Sequence, residues 1–330
     1  MKTITFFNNK GGVGKTSLVY HLAWMLQELG HRVVAMDLDP QSNLTSAFLD
    51  DDHLEQLWPD GEHPNTILGA VDPLMERLGD IRPIEPRRMA EGLWLVPGDL
   101  ALSQFEDRVS QAWRDCLTDN PQDARDAFRV MTAFYRVAAN AAACADADLV
   151  LIDVGPNIGA MNRAALVASD HVVIPLGADL FSIQGLRNLG PTLRAWRAGW
   201  SERRARPAMP PDCRAAQGSM NPVGYVLLNP SVRRDRPVIA YRRWAARIPD
   251  TYIEAVLDTQ PQLQGQHELS MIKHFKSLMP LAQDARKPMF LLTSADGAIG
   301  GHAQAVAECY EQFRALAQRI LDTCGVRHRR

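Results

Sequence analysis

Residues 9–17 read Asn-Lys-Gly-Gly-Val-Gly-Lys-Thr-Ser, and this stretch decides the fold. Upstream, Thr3 to Phe7 is a β-branched and aromatic run that predicts a buried strand. Downstream, Leu18, Leu22, Met25, Leu26 and Leu29 recur at helical spacing, and Gly30 stands where a helix ends. Strand, glycine-rich loop and helix are the context of a phosphate-binding loop. Gly11, Gly12 and Gly14 lack a Cβ, so their N–H groups, with that of Val13, can close around phosphate oxygens. The helix N-terminus adds partial positive charge. Lys15 is placed for the β- and γ-phosphates and the Thr16 hydroxyl for Mg²⁺, with Ser17 completing the set. The strict pattern G-x-x-x-x-G-K-[ST] fails only at its first position, where Asn9 stands.

Lysine is scarce. There are six (Lys2, Lys10, Lys15, Lys273, Lys276 and Lys287), and two of them fall in this loop. Lys10 to Thr16, KGGVGKT, resembles the deviant Walker A motif of the ParA/MinD group of P-loop ATPases. The resemblance implies ATP and Mg²⁺ as ligands. It also implies that Lys10 reaches across a dimer interface to the partner's phosphates. A second loop lysine suits a nucleotide held between two subunits, with dimerisation dependent on the γ-phosphate.

Two acidic segments fit that reading. The run Val33 to Met36 predicts a strand ending in Asp37-Leu38-Asp39-Pro40-Gln41-Ser42-Asn43, which resembles the DxDPQxN segment of the same family. Carboxylates at the C-terminal end of a parallel strand face the ligand crevice. By resemblance, Asp39 orients the attacking water and Asp37 supports the Mg²⁺ shell. A third run, Leu149 to Ile152, leads into Asp153, which reads as a Walker B carboxylate holding Mg²⁺. The family usually has two prolines, or proline and alanine, after this Asp. Gly155-Pro156 stands here instead, so the geometry of residues 155–159 is left open.

Further strands are predicted at Leu93–Val96, Val172–Pro175, Val223–Leu228 and Met289–Thr293, with helical patterns between most of them. The expected fold is therefore α/β: a doubly wound, mainly parallel sheet of about seven to eight strands flanked by helices. The whole chain, 1–330, is expected to form one P-loop ATPase domain. Residues 42–64 are polar and acidic and are expected to carry a short helix, as a nucleotide-sensing switch or equally as a solvated surface helix. The proline-rich stretch around 201–221 is expected to be a surface loop or insertion. Leu186, Leu189, Leu193, Trp196 and Trp200 predict a buried helical stripe, kinked or restarted at Gly190-Pro191. A C-terminal helix over 302–321 is expected to bury Val306, Tyr310, Phe313 and Ile320. By resemblance to the family, Asn229, after the predicted strand at 223–228, is a candidate contact to adenine; it is equally a turn-initiating residue before Pro230.

The net charge of −2 hides a segregation. Arg187 to Arg247 holds thirteen Arg, no Lys and three acids, a charge of +10, which leaves −12 for the rest. Arg187, Arg194 and Arg197 lie off the apolar stripe and are expected to face solvent. With Arg233, Arg234, Arg242, Arg243 and Arg247 they form a candidate DNA-binding face, or a solvated arginine-rich surface. Phosphate contacts of this kind give affinity without sequence reading.

Composition excludes several classes. No run of 18 apolar residues predicts a membrane span, and the first residues carry no signal-peptide core. Five dispersed cysteines without a CxxC pair argue against a disulfide framework and for a reduced, cytoplasmic setting. The resemblance then implies an ATP-dependent homodimer that binds DNA non-specifically and segregates or positions DNA or other cargo. A ParB-like or other partner protein would reset it by stimulating slow hydrolysis, and the protein would be nucleoid-associated rather than membranous. Two alternatives stand beside this: an ATP-binding regulatory module that recognises a protein with little turnover, and a MinD-like positioning ATPase. The tail RHRR lacks the apolar residues of a membrane helix.

Overall fold

The computed structural model describes residues 1–210, 213–228, 238–260, 267–275 and 277–326, with backbone alone at 238–240. In chain order the first half contains β1 (Lys2–Phe6), α1 (Lys15–Glu28), β2 (Val33–Asp37), α2 (Asn43–Phe48), α3 (Asp51–Leu57), α4 (Ile67–Met75), β3 (Arg87–Ala90), β4 (Leu93–Val96), α5 (Glu106–Asp115), α6 (Pro121–Met131) and α7 (Ala133–Ala145). The second half contains β5 (Leu149–Asp153), α8 (Ala160–Val167), β6 (His171–Leu176), α9 (Leu180–Arg204), β7 (Asn221–Leu228), α10 (Val238–Ala245), α11 (Ile248–Thr251), β8 (Glu268–Ile272), α12 (Met279–Ala285) and α13 (Gly301–Cys324).

Among the described residues the strands form one eight-stranded sheet, ordered β3-β4-β2-β5-β1-β6-β7-β8. Every pairing is parallel except that of β3 with β4. The inner strands are short, mainly apolar runs because both faces are covered, as a parallel sheet requires. Alternate residues feed opposite cores. Val34, Met36, Val150, Ile152, Val172 and Ile174 pack with α4 to α9 on one side. Ile4, Phe6, Val33, Ala35, Leu149 and Leu151 pack with α1 and α13 on the other. The α/β, doubly wound expectation holds, with eight strands.

Three local expectations need correction. Met289–Thr293 is not a strand. Met289–Leu291 forms a 3₁₀ turn that buries Met289 and Phe290, and the Met289 N–H donates to His21 Nε2 at 3.1 Å rather than to a neighbouring strand. The last strand is instead Glu268–Ile272, whose polar edge pattern carries no clear period. The edge strand Arg87–Ala90 is likewise without an apolar signal.

Second, α9 runs unbroken through Pro191 from Leu180 to Arg204. Gly190 serves packing there, because a Cβ would collide with the Ala255 carbonyl of the π-helical turn Tyr252–Leu257. Leu186, Leu189, Leu193 and Trp200 are buried as expected, while Trp196 is half-buried.

Third, the stretch around 201–221 begins inside α9, which runs to Arg204, and the loop after it is fastened down. Cys213, Ala216 and Met220 are buried, and Trp200 Nε1 donates to the Ala216 carbonyl at 3.1 Å. In the C-terminal helix Phe313 and Ile320 are buried, with Cys309 and Leu316, but Val306 and Tyr310 are half-buried. The acidic segment does hold short helices, α2 and α3.

Candidate active site

The loop between β1 and α1 turns sharply at Gly14, whose φ of +87° places it in the left-handed region that only glycine enters at no cost. Leu18 N then closes the first helical bond on the Gly14 carbonyl at 2.9 Å. Gly11, Gly12 and Gly14 are exposed, and the first N–H groups of a helix have no partner within it. Lys15 is buried. Its ammonium donates to the Val154 carbonyl and lies 3.4 Å from Asp153 Oδ1. Thr16 Oγ1 donates to Asp153 Oδ2 at 2.7 Å.

Sheet register brings the acids to this point. Asp37 and Asp153 are opposite residues of β2 and β5, and Phe6 of β1 faces Asp153 on the other side. Asp153 is fully buried, and its Oδ1 accepts no hydrogen bond. Burial raises its pKa, against the pull of the Lys15 charge and the Thr16 hydrogen bond. An orphaned carboxylate oxygen beside a hydroxyl is the donor set that Mg²⁺ accepts, since this ion takes few protein oxygens and completes its shell with water and phosphate. Thr16 and Asp153 therefore fit the ion.

Asp37 is differently engaged. Its Oδ2 accepts from both Thr45 N and Thr45 Oγ1 at 2.8 Å, and its Oδ1 accepts from Asp39 N at 3.2 Å. It thus ties the turn after β2 to the sheet. Burial, then the Asp153 charge, push its pKa up to about 7. Asp39 is nearly buried and borders the loop after β5. Its Oδ1 accepts from Gln41 N at 3.0 Å and lies 3.5 Å from where a Cβ on Gly155 would be.

The loop 154–159 crosses the site. Val154 meets Lys15, Gly155 meets Asp39, and Pro156 lies 3.9 Å from the Cβ position of Gly11. Asn162 Nδ2 fastens it by donating to the Gly155 carbonyl at 2.8 Å and the Asn157 carbonyl at 2.7 Å. The Gly155-Pro156 departure is thus accommodated in an ordered turn. A cavity of 470 Å³ opens beside Thr16 and Ser17, between α1, α2 and α12.

Lys10 points the other way. Its ammonium is paired with Asp179, the N-cap of α9, and sits 5.8 Å from the Phe181 ring centre. Against burial, which would raise it, the bonds from Lys10 and Ser182 N hold Asp179 below the usual carboxylate range. Ile158, Leu180 and Phe181 are exposed apolar side chains, the last at 72%. Sequence reasoning missed Asp179, although the pattern Asp-x-x-Ser before a helix is an N-cap signal.

The basic window divides. Arg187, Arg242, Arg243 and Arg247 are exposed. Arg194 and Arg197 are half-buried and do not face solvent freely, contrary to expectation. Arg194 donates to the Ala255 carbonyl at 2.8 Å, and Arg197 to the Ser219 and Met220 carbonyls at 2.7 and 2.9 Å. Burial comes first among the causes that lower Arg197's pKa. Arg203 is buried and stacks on Trp113. Asn229, Arg233 and Arg234 lie outside the described residues. No helix among the described residues is long and apolar enough to cross a membrane.

The chain is similar to several known proteins. A profile of the AAA domain matches residues 1–200. The protein IncC of Escherichia coli is 33% identical over 195 residues, 58% of this chain and 46% of that protein. The chromosome-partitioning ATPase Soj of Thermus thermophilus is 31% identical over 205 residues, 62% and 66% of the two chains. The matched stretch thus spans about half to two thirds of these curated relatives. A solved protein from Corynebacterium diphtheriae is 26% identical, with 98% of both chains covered and a TM-score of 0.70. An ATP complex of a Cyanothece McdA variant, 17% identical at a TM-score of 0.62, covers 100% of this chain and 98% of that one and shares the fold. On these grounds the chain belongs to the AAA-domain family, and within it to the ParA/MinD type of P-loop ATPase with a deviant Walker A loop.

Proposed function

We propose that this protein is a ParA-like ATPase that converts ATP and water to ADP and phosphate, slowly and under the control of a partner protein. One observation carries the reading: Lys15, Thr16 and Asp153 converge within 3.4 Å at the mouth of a glycine loop, with Asp39 beside them. Gly11, Gly12, Val13, Gly14 and Ser17 wrap the phosphates with N–H and O–H donors. Thr16 and Asp153 hold Mg²⁺, with Asp37 supporting from behind through the turn it fixes. The ion supplies positive charge to the phosphate oxygens when bound. Asp39 orients the attacking water.

Lys10 serves the dimer. It sits beside the exposed Phe181, where a second copy brings its own nucleotide within reach. The ATP dimer holds duplex DNA through Arg187, Arg242, Arg243 and Arg247, together with Arg233 and Arg234. A ParB-like or other activating protein releases it, and the cycle segregates or positions DNA or another cargo on the nucleoid, in the cytoplasm. Asn229 is kept as the candidate adenine contact, and the chain as one ATPase domain over 1–330.

The test is retention on arbitrary duplex DNA with ATP, ADP or no nucleotide. Retention should require ATP and fall steeply with salt. Retention absent with ATP would remove DNA from the reading, and equal retention in all three states would remove its ATP dependence. A second reading is favoured by Arg194, Arg197 and Arg203, which spend three of the window's charges inside the fold. It is a module that recognises a protein partner with little turnover, and absence of DNA retention alongside tight ATP binding would support it.

A further inference from the structure

The loop that crosses the phosphate site is held from outside by a residue that neither touches nucleotide ligands nor belongs to the loop. Glu106 is the first residue of α5. Its Oε1 accepts from Ala160 N at 2.6 Å and its Oε2 accepts from Met161 N at 2.9 Å. Those are the first two N–H groups of α8, the helix that begins where the loop 154–159 ends. α8 has no side-chain cap of its own, since Gly159 occupies the N-cap position. A Cβ on Gly159 would lie 2.7 Å from Glu106 Oε1, so the carboxylate packs directly against the N-cap residue. One carboxylate thus satisfies two orphan donors of one helix while sitting at the N-terminus of another, where negative charge is favoured twice.

The clamp has a second anchor. Arg163, one turn along α8, lies with its guanidinium 4.4 Å from the Trp113 ring centre, and Trp113 is on α5. Burial, then the nearby Arg203 charge, push the Arg163 pKa down to about 10. α5 therefore grips α8 at two points. The loop at the head of α8 follows, and with it the Val154 carbonyl on Lys15, Gly155 beside Asp39 and Pro156 beside Gly11.

We propose that Glu106 is a positioning residue for phosphoryl transfer, fixing through the α8 N-terminus where the 154–159 loop lies over Lys15 and Asp39. It contacts no reacting atom; its effect is on the step after binding. This rests on the ATPase reading above, so the experiment separates the two. Amide hydrogen exchange is measured on the nucleotide-free full chain for wild type, Glu106→Ala and Glu106→Gln. Binding of a fluorescent ATP analogue with Mg²⁺ and steady-state ATP turnover are measured on the same samples.

In Glu106→Ala the Ala160 and Met161 amides should exchange at least about tenfold faster, while the sheet amides stay protected. Turnover at saturating ATP should fall about tenfold or more, with affinity changed less than about threefold, because a misplaced loop costs the reaction more than it costs binding. Glu106→Gln, which keeps one acceptor oxygen, should fall between, and it serves where the alanine variant does not fold. Unchanged exchange at 160–161, or turnover within about twofold of wild type, overturns the proposal. Lost affinity in proportion to turnover would do the same, since it marks a purely structural role. If wild type neither binds nor turns over ATP, it is the ATPase reading that falls, and with it the proposed role of Glu106 in the reaction; the exchange data then still decide whether Glu106 holds the loop.

Discussion

Asp37 and Asp153 stand directly opposite one another in neighbouring parallel strands, both wholly buried at the carboxyl ends of β2 and β5. Two carboxylates so placed resist ionising together, and burial raises both. Asp37 is raised from 3.8 to about 7. A carboxyl raised in the folded state stabilises the fold fully below its unfolded pKa, and that contribution is lost as pH rises through the folded value. The nucleotide-free protein should therefore lose stability between about pH 4 and pH 7 on account of this group. In Asp37→Asn the loss should shrink, because an amide oxygen still accepts from Thr45 and cannot ionise. His21, pushed down to about 4 by burial, acts with the opposite sign, and its window closes near its ordinary value of 6.5. The difference between the thermal melts of the two proteins across this range isolates Asp37 from His21 and Asp153, and parallel curves would refute the assignment.

Lys15→Ala should abolish ATP binding, measured by calorimetry with Mg²⁺. The same change leaves Asp153 buried without its cation, so the variant should also melt lower. Lys15→Ala that binds ATP with wild-type affinity would remove the loop assignment.

Asp39→Ala should leave ATP binding and the ATP-dependent dimer intact while slowing hydrolysis at least about tenfold, the scale of a positioned catalytic group. Normal turnover in this variant would show that the water is oriented elsewhere.

The arginines separate into two kinds that charge counting merges. Reversing Arg242, Arg243 and Arg247 to Glu should remove DNA retention and leave the melting temperature nearly unchanged, since all three are exposed. Replacing Arg194 and Arg197 with Ala should do the reverse. Each strips carbonyl acceptors of a charged donor, a loss of about 1–3 kcal/mol in stability apiece. Equal effects of the two sets on DNA would mean that the division has no functional meaning.

This division also marks where the sequence stops being legible. The phosphate loop could be read because strand, glycines, lysine and helix are contiguous, and Asp37, Asp39 and Asp153 because each follows an apolar run. The buried strands of the sheet's interior announced themselves by composition. Arg87–Ala90 and Glu268–Ile272, at the sheet's two edges, did not, since an edge strand needs no continuous apolar run. Met289–Leu291 has the apolar composition of a strand, yet its backbone is claimed by His21, 268 residues away. Glu106 and Asp179 act through partners 54 and 169 residues distant, and no local pattern carries that information. For the same reason the solvent side of a helix did not reveal that Arg194 and Arg197 reach carbonyls of later segments.

Lys10 offers the sharpest test of the dimer. In the single chain its charge is occupied by Asp179, a half-exposed pair of the kind worth about 0–1 kcal/mol. To reach a partner's phosphate Lys10 must leave that carboxylate, so Asp179 competes with dimerisation by at most that amount. Lys10→Ala should leave nucleotide binding by the monomer intact and weaken the ATP-dependent dimer. Asp179→Asn should act the other way. The amide oxygen still caps α9 by accepting from Ser182 N, so the helix is preserved, while the competing charge is gone. Each protomer of the dimer makes this exchange, so the ATP dimer should then form at up to about thirtyfold lower protein concentration, the ratio that about 2 kcal/mol allows. Sedimentation velocity across a protein titration at saturating ATP and Mg²⁺ measures both variants. A dimer weakened by Asp179→Asn would instead place Asp179 among the interface contacts, with Lys10 resting on a residue that the dimer itself uses.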